Sequence, residues 1–291
     1  MAVESRVQSE QALPRGFEPI ELAGMGAFAE VWKAMETRTG RFCALKRLRP
    51  EKCEDATARQ LIANECQACQ TVTSRHLLKM LSAEPRADVP YLVFEWVDGR
   101  TLEDELRDQE RLSLRRSVWI ARQTADGMRD LECAGLAHGD IKPQNIFITL
   151  GGEVKLLDLG FVRPIAASAS RSVLDDFAGT PEYLAPEALG GGLTQPVIKD
   201  MYSLGITLYR MLTGRLPFVG DTASSVMVQH RQVRPTLLRR FRPDAPRELS
   251  DLVSRLLAKQ PFRRPADLRS LIRELVELEL ILLSSEIAED M

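Results

Sequence analysis

His138-Gly139-Asp140-Ile141-Lys142-Pro143-Gln144-Asn145 is followed, after two short apolar runs, by Asp158-Leu159-Gly160. Two carboxylates, an amide and a lysine lie close together in this stretch. The runs between them, Ile146-Phe147-Ile148 and Val154-Lys155-Leu156-Leu157, have strand character, and Gly151-Gly152 marks the turn that joins them. Such a loop can position metal ions, which favour hard oxygen ligands, together with a proton acceptor. It lacks something to hold phosphates and something to hold the acceptor, and the rest of the chain has to supply both.

At 291 residues the chain is long enough for two compact halves, each with its own core. With 44% hydrophobic and 27% charged residues the composition is that of a soluble globular protein. The formal charge of −2 gives no electrostatic case for nucleic acid or an anionic membrane. Arg239, Arg240 and Arg242 are expected in a solvated loop. Five cysteines without a repeated framework point to a reducing compartment. Cys66 and Cys69 form one isolated CxxC, short of the ligands a zinc site needs. The N-terminus lacks a signal-peptide core, and no apolar stretch has the length of a membrane span. A cytoplasmic protein without membrane insertion is expected.

Residues 1–15 are expected to be a flexible leader. Beyond it, Glu18-Pro19-Ile20-Glu21-Leu22 and Glu30-Val31-Trp32-Lys33-Ala34 are predicted strands, joined by Gly24-Met25-Gly26-Ala27-Phe28-Ala29. Glycines in such a turn let backbone N–H groups approach phosphates closely. A third strand, Arg41-Phe42-Cys43-Ala44-Leu45-Lys46, sets Lys46 in an apolar run. Residues 55–72 have helical periodicity, with Ala58, Leu61, Ile62, Cys69 and Val72 on one face and Glu65 at its centre. A carboxylate there needs a cation, and Lys46 is the nearest candidate. Tyr91 to Val97 forms the last strand of the first half. Ser113 is placed to cap a helix that carries Leu114, Val118, Ala121, Ala125 and Met128 and ends near Gly135.

With these motifs in place, the chain resembles the eukaryotic-type (Hanks-type) serine/threonine protein kinases over roughly residues 17–275. The resemblance implies an α+β, bilobal fold. Residues 16–97 form a small antiparallel sheet with one helix, residues 98–282 a larger, mainly helical lobe, and residues 283–291 an acidic tail. It further implies ATP bound by Gly24, Gly26, Val31, Ala44, Lys46, Glu95, Val97 and Phe147, with the ribose contact falling to Asp98 or Thr101. Phe94 guards the back of the adenine pocket. Glu65 supports Lys46, Asp140 orients or accepts the hydroxyl proton, and Lys142 steadies the transferred group. Asn145 and Asp158 hold Mg²⁺, with Mn²⁺ as an alternative. Gly179-Thr180-Pro181-Glu182-Tyr183-Leu184-Ala185-Pro186-Glu187 resembles the end of an activation segment and implies a protein substrate. Asp200, expected to open an apolar helix, ties the catalytic loop to that helix, and Arg264 pairs with Glu187.

The chain departs from the pattern at three places, the first being Leu159 where phenylalanine is usual in Asp158-Leu159-Gly160. Ala29 stands where a third glycine is usual. Gly139 replaces the arginine that commonly grips a loop phosphate, and His-Gly-Asp also resembles small-molecule kinases of the same fold. Those lack the Gly179–Glu187 segment and the loop lysine. Without the arginine, activation-loop phosphorylation is not expected to be the main switch. Asp176, paired with Arg163, is the candidate stand-in for the phosphate, and a regulatory protein partner is the expected source of any signal. A nucleotide-binding pseudokinase scaffold is the competing reading, though Lys46, Asp140, Asn145 and Asp158 are all present. The acidic stretch Glu103-Asp104-Glu105 with Asp108 could favour basic peptides, against a solvated helix face as the default.

Overall fold

The computed structural model describes residues 13–166, 180–189 and 194–289, with side chains to residue 284. They divide into two compact units, one made of the chain up to Thr73 with Leu78–Asp98, the other of Ser74–Leu77 with the chain from Gly99 onward.

The first unit is a five-stranded antiparallel sheet in the order β1-β2-β3-β5-β4, with one helix. β1 (Phe17–Met25), β2 (Ala29–Glu36) and β3 (Arg41–Leu48) form a meander. β5 (Tyr91–Glu95) pairs with β3, and β4 (Met80–Glu84), which the sequence reading missed, pairs with β5 at the sheet edge. α1 (Ala56–Thr71) starts at Asp55, whose side chain accepts the N–H groups of Thr57 and Ala58, two of the orphan donors of a first turn. Its buried face carries Ala58, Ile62, Glu65, Cys66 and Ala68. Ala58, Ile62 and Cys66 pack with Ala44, Leu48, Leu92 and Phe94 in one apolar cluster.

In the second unit, β6 (Gly99–Thr101), β8 (Ile146–Thr149) and β9 (Val154–Leu156) make a three-stranded sheet. The Gly151-Gly152 turn joins β8 to β9 as predicted, with Gly152 at φ 88°. A two-stranded ribbon pairs β7 (Leu136–Ala137) with β10 (Arg163–Pro164). The helices are α2 (Leu102–Asp108), α3 (Leu114–Cys133), α4 (Pro196–Thr213), α5 (Ala223–Gln232), α6 (Arg247–Leu256) and α7 (Leu268–Glu289). Ser113 caps α3 through the Arg116 N–H, as its position suggested. The α+β class expected from the sequence is therefore the class observed.

Several expectations shift. Ser74–Leu77 belongs to the second unit although the chain on both sides belongs to the first. There the Leu156 N–H donates to the His76 carbonyl at 2.8 Å, and Lys155 Nζ donates to the Arg75 and Leu77 carbonyls. Asp200 does not open α4; the helix starts at Pro196, whose missing N–H costs nothing in a first turn, and Asp200 lies one turn in. The backbone of α7 runs on to Glu289, through most of the stretch read as a tail. Arg242 is buried rather than solvated: it grips Asp244 and donates to the carbonyls of Leu112 and Leu212. No helix among the described residues is long and apolar enough to cross a membrane.

α4 is the core of the second unit, with Met201, Tyr202, Leu204, Ile206, Leu208, Met211 and Leu212 all nearly inaccessible. Tyr202 carries the packing on to α5, where its hydroxyl lies 2.8 Å from His230 Nδ1. His230 also packs at a tilt against Phe218, and the charge of the Lys259 ammonium acts on it. Burial and that cation push its pKa down to about 4 from an ordinary 6.5. In the window between these values the unfolded chain takes up a proton that the folded chain refuses, so stability falls as pH drops through it. Urea melts at pH 7 and pH 5 should show wild type losing about 2 kcal/mol more than His230→Phe, the linkage of roughly 1.5 pH intervals. Equal losses in the two chains would exclude His230 as the group.

Candidate active site

The second unit assembles the loop that opened the sequence reading. Asp200, buried at 4% exposure, accepts the His138 N–H at 2.7 Å on one carboxylate oxygen and the Gly139 N–H at 3.0 Å on the other. Burial raises its pKa to about 7, against the pull of those two donors toward the ionised form. His138 is wholly buried. Its Nε2 lies 3.0 Å from the Leu157 carbonyl and its Nδ1 3.2 Å from the Asp140 N–H. The carbonyl can only accept and the N–H can only donate, so the imidazole is neutral with its proton on Nε2. Burial holds its pKa below the ordinary value, in keeping with that state.

The loop so anchored presents Asp140, 5% exposed, with two donors on its carboxylate. Lys142 Nζ is 2.7 Å from Oδ2, and Asn145 Nδ2 is 2.8 Å from the same oxygen and 2.9 Å from the Asp140 carbonyl. Both partners of the Asn145 amide nitrogen are acceptors, which leaves Oδ1 as the group free to serve a cation. Lys142 Nζ also donates to Thr180 Oγ1 at 2.7 Å. That contact joins the loop to the segment beginning at Thr180, and nothing in the residue pattern pointed to it. Downstream, Arg264 pairs two-armed with Glu187 at 2.5 and 2.7 Å and donates to the Ile198 carbonyl.

Asp158 adopts φ 60°, ψ 71°, the one left-handed non-glycine residue among those described. Short polar side chains tolerate this region at a cost of about 1–3 kcal/mol, and such strain concentrates where function needs a side chain aimed. Arg163, half-buried, sits on β10 opposite Ala137, and its charge acts on the Asp200 carboxyl. Asp176, its suggested partner, lies outside the described residues, as do Ser168, Ser170, Ser172 and Gly179. Phe147 lies on β8 opposite Thr101 and Lys155, half-buried.

In the first unit, Lys46 Nζ reaches Glu65 Oε2 at 2.5 Å, the pair expected from the apolar surroundings of both. The Gly24–Ala29 turn is closed by the Gly26 N–H on the Ala29 carbonyl at 2.8 Å, and a Cβ at Gly24 would meet nothing within 4 Å. Backbone is thus uncovered where the sequence reading placed a phosphate cradle. Val31 pairs with Lys46 and Ala44 with Phe94 across the sheet. Phe94, 6% exposed, fills the cluster behind them. The Glu95 carboxylate accepts the Lys79 N–H at 3.1 Å, and Val97 is half-buried just beyond β5. Burial pushes Cys69 up to about 12, so this thiol stays protonated.

The oxygens that could hold a divalent ion are the Asn145 amide oxygen and the Asp158 carboxylate. Among the described residues no cluster of three or more His, Cys, Asp or Glu forms a cage. A hard ion that keeps waters and shares its coordination with substrate phosphates fits two such oxygens.

A family model for the protein kinase domain matches residues 17–279. Three curated relatives are similar over most of the chain. A probable serine/threonine-protein kinase of Clostridium perfringens is 29% identical over 94% of this chain and 40% of its own length. The serine/threonine-protein kinase PknB of Mycolicibacterium smegmatis is 33% identical over 87% and 41%. The serine/threonine-protein kinase PknA of Mycobacterium tuberculosis is 32% identical over 84% and 56%. The chain thus spans about two fifths to just over half of the length of the relatives it matches.

Gly139 is at φ 83°, and a Cβ there would stand 2.3 Å from the Phe161 carbonyl oxygen. An L side chain at this position meets both a disfavoured backbone region and a backbone atom. Gly139→Ala should lower the unfolding free energy by about 1–3 kcal/mol, read from chemical denaturation. An unchanged midpoint would show that the turn gives way without cost.

Proposed function

From the premise that this chain belongs to the protein kinase domain family, we propose that it transfers the γ-phosphoryl group of ATP to serine or threonine hydroxyls of proteins. The observation that carries the reading is Lys142 Nζ lying 2.7 Å from both Asp140 Oδ2 and Thr180 Oγ1. A cation is thereby held between a proton acceptor and the segment assigned to the peptide. Gly24, Gly26, Val31, Ala44, Glu95, Val97 and Phe147 contribute to nucleotide binding, and Lys46, held by Glu65, meets its phosphates. Asn145 and Asp158 are the residues that would hold Mg²⁺, and the ion would supply positive charge to offset that of the phosphates. Asp140 takes the hydroxyl proton as the new O–P bond forms and the bond to the β-phosphate oxygen breaks, releasing ADP. Lys142 offsets charge on the transferred group. Such a reaction is served by position and electrostatics, which these residues offer.

Independence from activation-loop phosphorylation belongs to the same proposal. Position 139 offers no cation to a loop phosphate, and Asp176, in this reading the partner of Arg163, would supply a permanent negative charge instead. Ordered Asp140, Lys142 and Asn145 together favour an enzyme over a scaffold that only binds nucleotide.

Transfer of labelled γ-phosphoryl from Mg-ATP to a serine-containing carrier protein should fall roughly 10²-fold or more in Asp158→Asn, with the thermal midpoint held. Wild type and variant equally inert while both bind ATP would replace the kinase with the scaffold.

A further inference from the structure

Helix α2 carries four carboxylates, Glu103, Asp104, Glu105 and Asp108, for which a basic peptide is one conceivable partner. The side chains argue against it, because each already has an arginine. Glu105, 4% exposed, takes a two-armed bond from Arg116 at 3.1 Å each, with Arg100 3.9 Å away. Asp108 receives Arg100 at 2.7 Å. Asp104 caps its own helix through Thr101 and meets Arg107 at 3.0 Å. Glu103 receives both terminal nitrogens of Arg210 at 2.7 Å and Gln144 Nε2 at 2.8 Å.

The Glu103–Arg210 pair differs from the others in its position. Gln144 lies in the turn that follows Lys142, on the loop carrying Asp140. Arg210 also donates to the Tyr183 hydroxyl at 2.9 Å, and Tyr183 lies in the short turn that starts just after Thr180. The pair therefore touches both strips of chain that Lys142 joins. Its side chains are 21% and 19% exposed, open enough to sense a bound peptide's charge and covered enough to escape full screening. Glu103 raises the Arg210 pKa and holds it charged, so the two formal charges cancel. A substrate guanidinium arriving here would find a carboxylate already accepting three N–H bonds and a like charge beside it.

We propose that Arg210 is a specificity-determining residue on the acceptor side. By cancelling Glu103 it makes the site indifferent or adverse to arginine and lysine beside the acceptor hydroxyl. Its loss turns the same spot into a receptor for basic peptides. The proposal rests on the kinase reading above and goes beyond it by naming the class of peptide.

The test uses the full chain with Mg-ATP and serine peptides that differ only by arginine, alanine or glutamate at each flanking position. For wild type the ratio of kcat/KM for arginine over alanine peptides should be about one or less. In Arg210→Met the best-placed arginine should raise it roughly five- to tenfold, the worth of a half-buried ion pair. Adding Glu103→Gln should return it to the wild-type value. Each ratio comes from one preparation, so the folded fraction cancels. Glu103→Gln alone, which leaves Arg210 uncompensated, should favour glutamate peptides, and it supplies a second reading if Arg210→Met folds poorly. Ratios unchanged in an active Arg210→Met and an active Glu103→Gln overturn this proposal alone. A wild type that phosphorylates no peptide sinks the kinase reading and this proposal together.

Discussion

A buried carboxylate that accepts two consecutive backbone N–H groups organises the second unit. Asp200 fixes the peptide planes at His138 and Gly139, and the loop from Asp140 to Asn145 takes its course from there. The burial is costly for a charge, and two backbone donors offset part of that cost. The return is rigidity: the loop hangs from α4, a deeply packed helix, so the Asp140 carboxylate inherits the stiffness of the core. His138 completes the anchorage by bridging the Leu157 carbonyl and the Asp140 N–H, which couples the loop to the residue before Asp158.

Around this anchor the polar groups form a graded series of environments. Asp200 is sealed and structural. Asp140 is buried yet held by a lysine and an amide, each with a further task. Asp158 is half-exposed and aimed by a strained backbone. Three aspartates of one intrinsic chemistry are thereby set in three different environments, through burial, hydrogen bonding and backbone conformation. Gly139 belongs to the same construction. The turn that feeds two N–H groups to Asp200 passes under the Phe161 carbonyl at positive φ, where glycine enters without strain.

Much of this was legible in the residues because motif chemistry is local. Gly151-Gly152 between two apolar runs could only be a tight turn, and Glu65 on an apolar face with Lys46 on an apolar strand left few partners for either. Other features were hidden because they depend on distant groups. β4 has a mixed sequence that becomes a strand only against β5. Ser74–Leu77 leaves its neighbours because backbone donors and acceptors on β9 take it. Arg242 looked like one of a solvated cluster until the carbonyls of Leu112 and Leu212, far off in sequence, gathered it inward.

By itself the sequence carried the motifs of a family resemblance, and through it the expected fold class and the candidate site residues, since short motifs are local. Only the tertiary structure decided what the charges do. The acidic face of α2 was expected to be a solvated helix face, with basic peptides as the alternative, and folding turned each of its carboxylates toward an arginine, one of them from α4, 107 residues away. Charge is a property of the chain, but its availability is set by which opposite charge the fold brings within hydrogen-bond reach.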